Sequence, residues 1–376
     1  MPTIFTRGAA SARGFGLFGG AATPTSGALW SWGTNYSGQL GLGNVTYYSS
    51  PKQVGALTTW SAVSAGENFS LAAKADGTLW SWGLGTSGQL GLSNLTNYNS
   101  PKQVGALTAW FKVSCGITHS LAVKTDGTLW SWGSNGSGQL GLGNSTTYSS
   151  PKQVGALTTW STVSGGDNFS LAVKSDGTLW SWGANTLGKL GLGNVISRNS
   201  PNQVGALTTW ATVSAGTNSS MAVKTDGTLW SWGANGSGQL GLGNLTNYSS
   251  PKQVGALTTW ATVSAGPGSF SLAVKTDGTL WSWGSNGSGQ LGLGNLTSYS
   301  SPKQVGALTA WSKVSQDNSF SVSIKTNGTL WSWGDNQNGQ LGLGNITNYS
   351  SPVQVGALTT WFTVETGDKF VLALKT

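Results

Sequence analysis

The sequence predicts an all-β fold, a closed seven-bladed β-propeller of four-stranded antiparallel blades, with the last blade completed by strands from both termini. Three observations lead there. The pentapeptide Leu-Trp-Ser-Trp-Gly occurs seven times, starting at Leu29, Leu79, Leu129, Leu179, Leu229, Leu280 and Leu330, at a spacing of 50 residues with one step of 51. A period near 50 residues is that of a propeller blade. A second marker, Val-Gly-Ala-Leu-Thr followed by Thr or Ala and Trp, also occurs seven times and ends at Trp60, Trp110, Trp160, Trp210, Trp260, Trp311 and Trp361. Finally, the two ends of the chain carry complementary fragments of one repeat.

The repeat that opens at Trp60 shows each element in turn. Residues 60–65 alternate and are rich in small and β-branched residues, which suits an innermost strand. Residues 69–74 alternate again as a second strand, and residues 78–82 form a third. Asp76-Gly77 between them predicts a two-residue type I′ hairpin turn, a pair that recurs at Asp126-Gly127, Asp176-Gly177, Asp226-Gly227 and Asp277-Gly278, with Asn327-Gly328 as a variant. A short fourth strand is expected around residues 102–104, opened by Pro101. Pro and Lys suit an outer edge, because Pro lacks an N–H and Lys resists desolvation. Pro stands there in every repeat (Pro51, Pro101, Pro151, Pro201, Pro251, Pro302, Pro352). Residues 370–375 read as a second strand with no turn after it, and residues 28–33 as a third strand with no turn before it. Their union would complete a seventh blade and remove the open edges of a linear stack.

Composition agrees with this organisation. Fifty-eight Gly and a charged fraction of 8% would by themselves suit a low-complexity chain, but 21 Trp, three per repeat, need a core to bury them. A single cysteine, Cys115, excludes an internal disulfide framework and a Cys-based metal cage. No apolar run approaches the ~18 residues of a membrane span, so membrane insertion is not expected. No secretory signal is read in residues 1–20, which Arg7 and Arg13 interrupt. The net charge of +8 would suit an anionic partner, yet the lysines are spread evenly through the repeats, so nucleic acid is not an expected ligand.

The segment Leu-Trp-Ser-Trp-Gly-x-Asn-x-x-Gly-Gln-Leu-Gly-Leu-Gly-Asn, clearest at residues 129–144 and 229–244, resembles the RCC1 repeat. So do the following Pro-Lys-Gln-Val and the Val-Ser-Ala-Gly…Ser-Leu-Ala-Val stretch. The resemblance covers roughly residues 26–376 and implies a seven-bladed propeller. Family members act as nucleotide exchange factors, chromatin binders or enzyme inhibitors, and no such role transfers residue by residue. RCC1-type repeats commonly carry a His just before the second strand. Here only His119 does, with Phe69, Phe169, Ser219, Phe270, Phe320 and Phe370 at the matching places.

Candidate chemistry is sparse. Cys115 and His119 are the only nucleophile–base pairing, and no third group orients them, so no catalytic residue is expected. His119 has no second His, so no metal and no cofactor is expected. Gly-Gln-Leu-Gly-Leu-Gly superficially resembles a phosphate loop but opens no helix and recurs from blade to blade, so it reads as a tight turn. Seven lysines (Lys74, Lys124, Lys174, Lys224, Lys275, Lys325, Lys375) precede the hairpin turns. They could form a basic annulus, but the expected arrangement is each Lys solvated beside its own turn Asp.

Repeats of one chain can be compared with each other. Variation gathers in the loop between strands one and two, as in Glu67-Asn68-Phe69, Ile117-Thr118-His119 and Pro267-Gly268-Ser269-Phe270, and in the loop between strands three and four, as in residues 34–36, 44–48 and 194–199. Both loops belong on one face of an up-and-down blade. Tyr36, Tyr48, Phe69, His119, Phe169, Arg198, Phe270, Phe320 and Phe370 are therefore the expected partner-binding residues, with drift at unconstrained positions as the competing account. Residues 1–25 follow no repeat and are rich in Gly and Ala, with Phe5, Arg7, Arg13, Phe15 and Phe18. They read as a flexible docking arm that resembles, in composition, those of some bacteriophage structural proteins. The expectation is a non-enzymatic display propeller on a virion. Its arm would bind other subunits and its variable face a host-surface protein or glycan. The alternative is a free RCC1-like regulator or inhibitor.

Overall fold

A computed structural model describes residues 26–376. These form 28 strands and one 3-10 turn, Thr186–Gly188, and the strands make seven antiparallel sheets of four. Blades 1 to 6 start at Trp60, Trp110, Trp160, Trp210, Trp260 and Trp311. Blade 7 joins Trp361–Gly367 and Phe370–Lys375 to Ala28–Gly33 and Tyr48–Gln53. The joint is in continuous register, from Ala28 opposite Lys375 to Gly33 opposite Phe370. The ring therefore closes as the sequence predicts. The arm residues Phe5, Arg7, Arg13, Phe15 and Phe18 lie outside the described residues.

Blade 1 consists of Trp60–Ala65, Phe69–Lys74, Leu79–Gly83 and Tyr98–Gln103. First strands of successive blades lie side by side around the axis. Two local expectations need correction. The hairpin loop has three residues, Ala75-Asp76-Gly77: Gly77 N–H donates to the Lys74 carbonyl at 2.9 Å and Lys74 N–H to the Thr78 carbonyl at 3.0 Å. Only Gly77 has positive φ, 78°, so the loop is a type I turn with a glycine bulge and not type I′. Asp76 holds it by accepting from Thr78 N–H at 2.9 Å and Thr78 Oγ1 at 2.7 Å. The outer strand also begins earlier than expected, at Tyr98, because the ladder is broken between the Ser81–Lys102 and Gly83–Tyr98 pairs. Pro101 lies inside that bulge, where no N–H is required of it.

Sheet faces are buried against neighbouring blades, so the core runs between blades as well as within them. Phe69, Leu71 and Leu79 of blade 1 pack with Trp110, Val113 and Trp132 of blade 2. In each blade the first-strand Trp meets both indoles of the third strand edge-on, as Trp60 meets Trp80 and Trp82 at 6.1 and 6.2 Å. A polar joint fastens each boundary. Trp82 Nε1 donates to the Gln39 carbonyl of blade 7 at 2.8 Å, and Ser70 Oγ donates to the same oxygen at 2.8 Å. The Trp bond recurs at every boundary, including Trp32 to Gln340 across the closure at 3.0 Å. The Ser bond is missing only there, where Val371 occupies the position. Gly41 is required at this joint: its φ is +72° and a Cβ would lie 2.7 Å from Trp82 Nε1.

Candidate binding face

The loops after first and third strands emerge together. Leu84 N–H donates to the Asn68 carbonyl at 2.8 Å, and the equivalent bond joins the two loops in every blade, as in Thr34 to Lys369 and Ala234 to Asn218. The three-residue turns and the Val-Gly-Ala-Leu-Thr links lie on the opposite face, tied by bonds such as Trp110 N–H to the Gly77 carbonyl at 3.1 Å. The longer variable-face loop is held from inside. Buried Asn35 accepts from Leu40 N–H at 2.9 Å and donates to the Asn44 and Thr46 carbonyls at 2.9 and 3.1 Å. Blade 1 replaces this Asn by Gly85, whose N–H is taken by Asn97 Oδ1 at 2.9 Å. A rigid frame thus presents the loop tips.

The structure divides the expected partner-binding residues into two sets. Tyr36 is half exposed and donates its phenol to Asn68 Oδ1. Burial, together with the charges of Asp368 and Glu67, pushes its pKa up to about 12. Tyr48 is half-buried, accepts from Asn44 Nδ2 at 3.2 Å and lies under Lys52 at 5.5 Å. Arg198 takes the Tyr48 place in blade 3 and is half-buried. Phe69, His119, Phe169, Phe270, Phe320 and Phe370 are 0–1% exposed, so the expectation that they offer side chains to a partner is corrected. Each opens a second strand whose faces are both covered. The Phe69 ring, for instance, lies so close to Gly66 that a Cβ there would be 2.1 Å from it. These rings plug the core. Sequence reasoning missed the exposed aliphatic side chains of the same face, Val45, Leu95, Val195, Leu245, Leu296 and Ile346, at 56–67%. Their signal was an apolar residue after Asn in an otherwise polar loop, followed in blade 3 by a second, Ile196.

Cys115 and His119 are drawn to opposite neighbours. Cys115 Sγ donates to the Ser64 carbonyl of blade 1 at 3.4 Å, while His119 Nε2 lies 2.9 Å from Ser170 Oγ of blade 3. The Ser170 proton is committed to the Gln139 carbonyl at 2.8 Å, so Nε2 is the donor and the imidazole is a structural link. The Gly-Gln-Leu-Gly stretch is the inter-blade joint already described. Among the described residues no three or more His, Cys, Asp or Glu gather as a metal site, and no helix is long and apolar enough to cross a membrane.

The lysine ring also differs from expectation. Lys74, Lys174, Lys224 and Lys275 are 8–9% exposed, and Lys74 Nζ lies 3.7 Å from the Trp80 ring and 5.0 Å from the Trp60 ring. Burial lowers their pKa values, and the nearby turn Asp opposes the shift. The aliphatic stem covers indole and the ammonium sits on its π face, which holds these lysines more tightly than solvation beside Asp would. Carboxylates stand at the axial loops of the variable face. Burial, then Asp368 and Asp167, raise the Glu67 pKa, and burial raises that of Asp167.

A ring of seven four-stranded blades with this inter-blade joint defines a β-propeller of RCC1-repeat type. The chain belongs to the RCC1-like domain family, whose profile matches residues 18–269. Profiles of the regulator of chromosome condensation (RCC1) repeat match residues 277–324 and 327–374, and a second such profile matches 260–290 and 313–340. Comparison with curated proteins gives no match. Among solved structures, Prp20p from Saccharomyces cerevisiae is similar with a TM-score of 0.84 at 20% identity, over 94% of this chain and 92% of that one. Human WBSCR16 is similar with a TM-score of 0.83 at 23% identity, over 93% of this chain and 98% of that one. At these identities the likeness shows the fold.

Proposed function

We propose that this chain is a non-catalytic binding propeller that holds a macromolecular partner on its variable face. The observation that carries the reading is the asymmetry between faces: the links repeat verbatim seven times, while the departures from the repeat gather in loops that emerge on the other side. Protein binding by a propeller of this fold has a precedent in Prp20p, whose structure is described together with its binding to Gsp1p and histones. The bonding of Cys115 and His119 to separate blades further supports a non-catalytic role.

In the finer reading the propeller is mounted on a virion by residues 1–25, with the variable face outward toward a host-surface protein or glycan. The chain enters the ring at Gly27, bonded to Trp60 at 2.9 Å on the uniform face, so an arm would leave from the side away from the variable loops. Deleting residues 1–25 tests this. A folded propeller that no longer joins purified particles is the expected result, and unimpaired incorporation would overturn the mounting. A free regulator would instead be a soluble monomer that captures its partner equally well without the arm.

A further inference from the structure

We infer that blade 4 carries a pocket for one uncharged sugar unit of a glycan, in the space an aromatic ring fills in the other six blades. The inference deepens the binding-face reading, on which it rests for the ligand's access. At the first position of the second strand, blade 4 alone has a small residue, Ser219. At Gly66, Gly116, Gly166 and Gly367 an added Cβ would meet the aromatic ring at 2.1–2.2 Å, whereas at Gly216 Ser219 Oγ stands 3.2 Å away. The space left forms a cavity of about 350 Å³ between the loops of blades 3, 4 and 5, within the range of small-molecule sites.

Three carboxamides line it, and each has its oxygen already committed. Gln239 Oε1 accepts from Ser237 N–H at 2.9 Å, Asn247 Oδ1 from Asn235 N–H at 2.7 Å, and Asn218 Oδ1 from Lys189 Nζ at 3.1 Å. Their NH₂ groups are left as donors, and none of them reaches a protein acceptor among the described residues. Gln239 is only 7% exposed. The equivalent Gln139 amide in blade 2 reaches Ser134 Oγ at 3.4 Å and Asn168 Oδ1 at 3.3 Å, whereas blade 4 offers Ala234 and Ser269 at those places. Lys189, which fixes Asn218, itself stands where the other blades have Gln.

No charged side chain lines the cavity, and Lys189 behind it spends its ammonium on the Thr217 and Asn218 oxygens at 3.1 Å, so an ion would be desolvated there without a direct counter-charge. A bare aromatic ring would leave the three NH₂ groups unpaired. Sugar hydroxyl and ring oxygens accept from such donors, and the C–H face of a sugar suits the lip formed by Leu187 and Pro267. Leu187 is 45% exposed and held at φ 61°. A second depression of about 600 Å³ shares Leu187 and Asn247 and adds Val195, which gives room for the next unit of a chain.

The test titrates the full chain with neutral methyl hexosides, methyl N-acetylhexosaminides and their β-linked disaccharides. Methyl glucuronide and phenol serve as competing probes, read by saturation-transfer NMR and calorimetry. At least one neutral glycoside is expected to bind, its disaccharide more tightly than the monomer. Ser219→Phe, which restores the residue of the other blades, should weaken binding about ten-fold or more without lowering the melting temperature. Leu57→Ala, an exposed residue of the uniform face, should leave sugar binding unchanged. Absence of binding by every neutral glycoside overturns the inference, as does unchanged affinity in Ser219→Phe, loss in Leu57→Ala, or preference for phenol or glucuronide. A disaccharide no tighter than its monomer overturns the glycan assignment. Capture of a macromolecular partner, measured separately, bears on the proposed function alone.

Discussion

Trp32→Phe and Trp82→Phe remove the same indole from two blade boundaries that differ in one respect. At the blade 7–blade 1 boundary, the Gln39 carbonyl that loses Trp82 Nε1 keeps Ser70 Oγ at 2.8 Å. At the closure, the Gln340 carbonyl accepts from Trp32 at 3.0 Å, and Val371 stands where the second donor would be. Replacing indole by phenyl forfeits a hydrogen bond of about 1 kcal/mol. It also leaves a void of about 40 Å³, worth about 1 kcal/mol at 24 cal/mol per Å³. Trp82→Phe should therefore cost about 2 kcal/mol. Trp32→Phe adds the desolvation of an orphaned carbonyl, for a total of about 3–4 kcal/mol. Adding Val371→Ser supplies the missing donor and should return about 1 kcal/mol as a favourable coupling in a double-mutant cycle. Urea unfolding followed by far-UV circular dichroism, with equal m-values required, measures the parent, the three single variants and the double variant. Equal losses at Trp32 and Trp82, or no coupling with Val371→Ser, would refute the shared-acceptor account.

Burial pushes the Lys112 pKa down from 10.5 to about 8, so between those values the unfolded chain holds a proton the folded one lacks, and stability should rise with pH. The rise is worth up to about 3 kcal/mol. Lys112→Thr, the residue of blades 3 to 5, should reduce it in unfolding experiments at pH 7, 8.5 and 10, leaving limbs of the same sign from Lys313, also lowered to about 8, and from the ring lysines whose pKa values burial lowers. Gly41→Ala meets Trp82 at 2.7 Å and a left-handed φ, and should cost about 3 kcal/mol or more. Gly55→Ala, at φ +63° with nothing within 4 Å, should cost only about 1 kcal/mol in the same assay. Ser219→Phe should raise stability by about 1–2 kcal/mol, seen as a higher melting temperature, by filling the blade 4 cavity.

Blade number and strand order were legible because the repeat is a local pattern copied seven times, and closure because residues 28–33 and 370–375 are complementary fragments of one copy. What the copying concealed was the direction in which side chains point. Phe69 and its equivalents sit in a loop-like stretch, and only the stacking of blades shows that both sides of their strand are covered. Lys74 carries no local hint that two indoles of its own blade lie beneath it. Asp-Gly alone does not fix the hairpin loop, because it serves both a two-residue turn and a three-residue loop, which differ in the closing pair and in the sign of φ at the Asp. At the blade 4 cavity, Ser219 and the Pro267-Gly268 insertion were visible as departures from the repeat. Lys189, Leu187 and Ala234 acquired meaning only when the fold brought them beside Ser219.

The pairing of Ala28–Gly33 with Phe370–Lys375 has a consequence for biosynthesis. A ribosome working at about 5–20 residues per second releases the first of these strands on the order of 20–70 s before the second. Throughout that interval Trp30 and Trp32 lack the indole of Trp361, against which both finally pack. Six blades can assemble on the nascent chain, but two raw sheet edges persist until Phe370–Lys375 emerges. Prematurely terminated polypeptides would keep those edges, which marks them for aggregation or for the cell's degradative machinery.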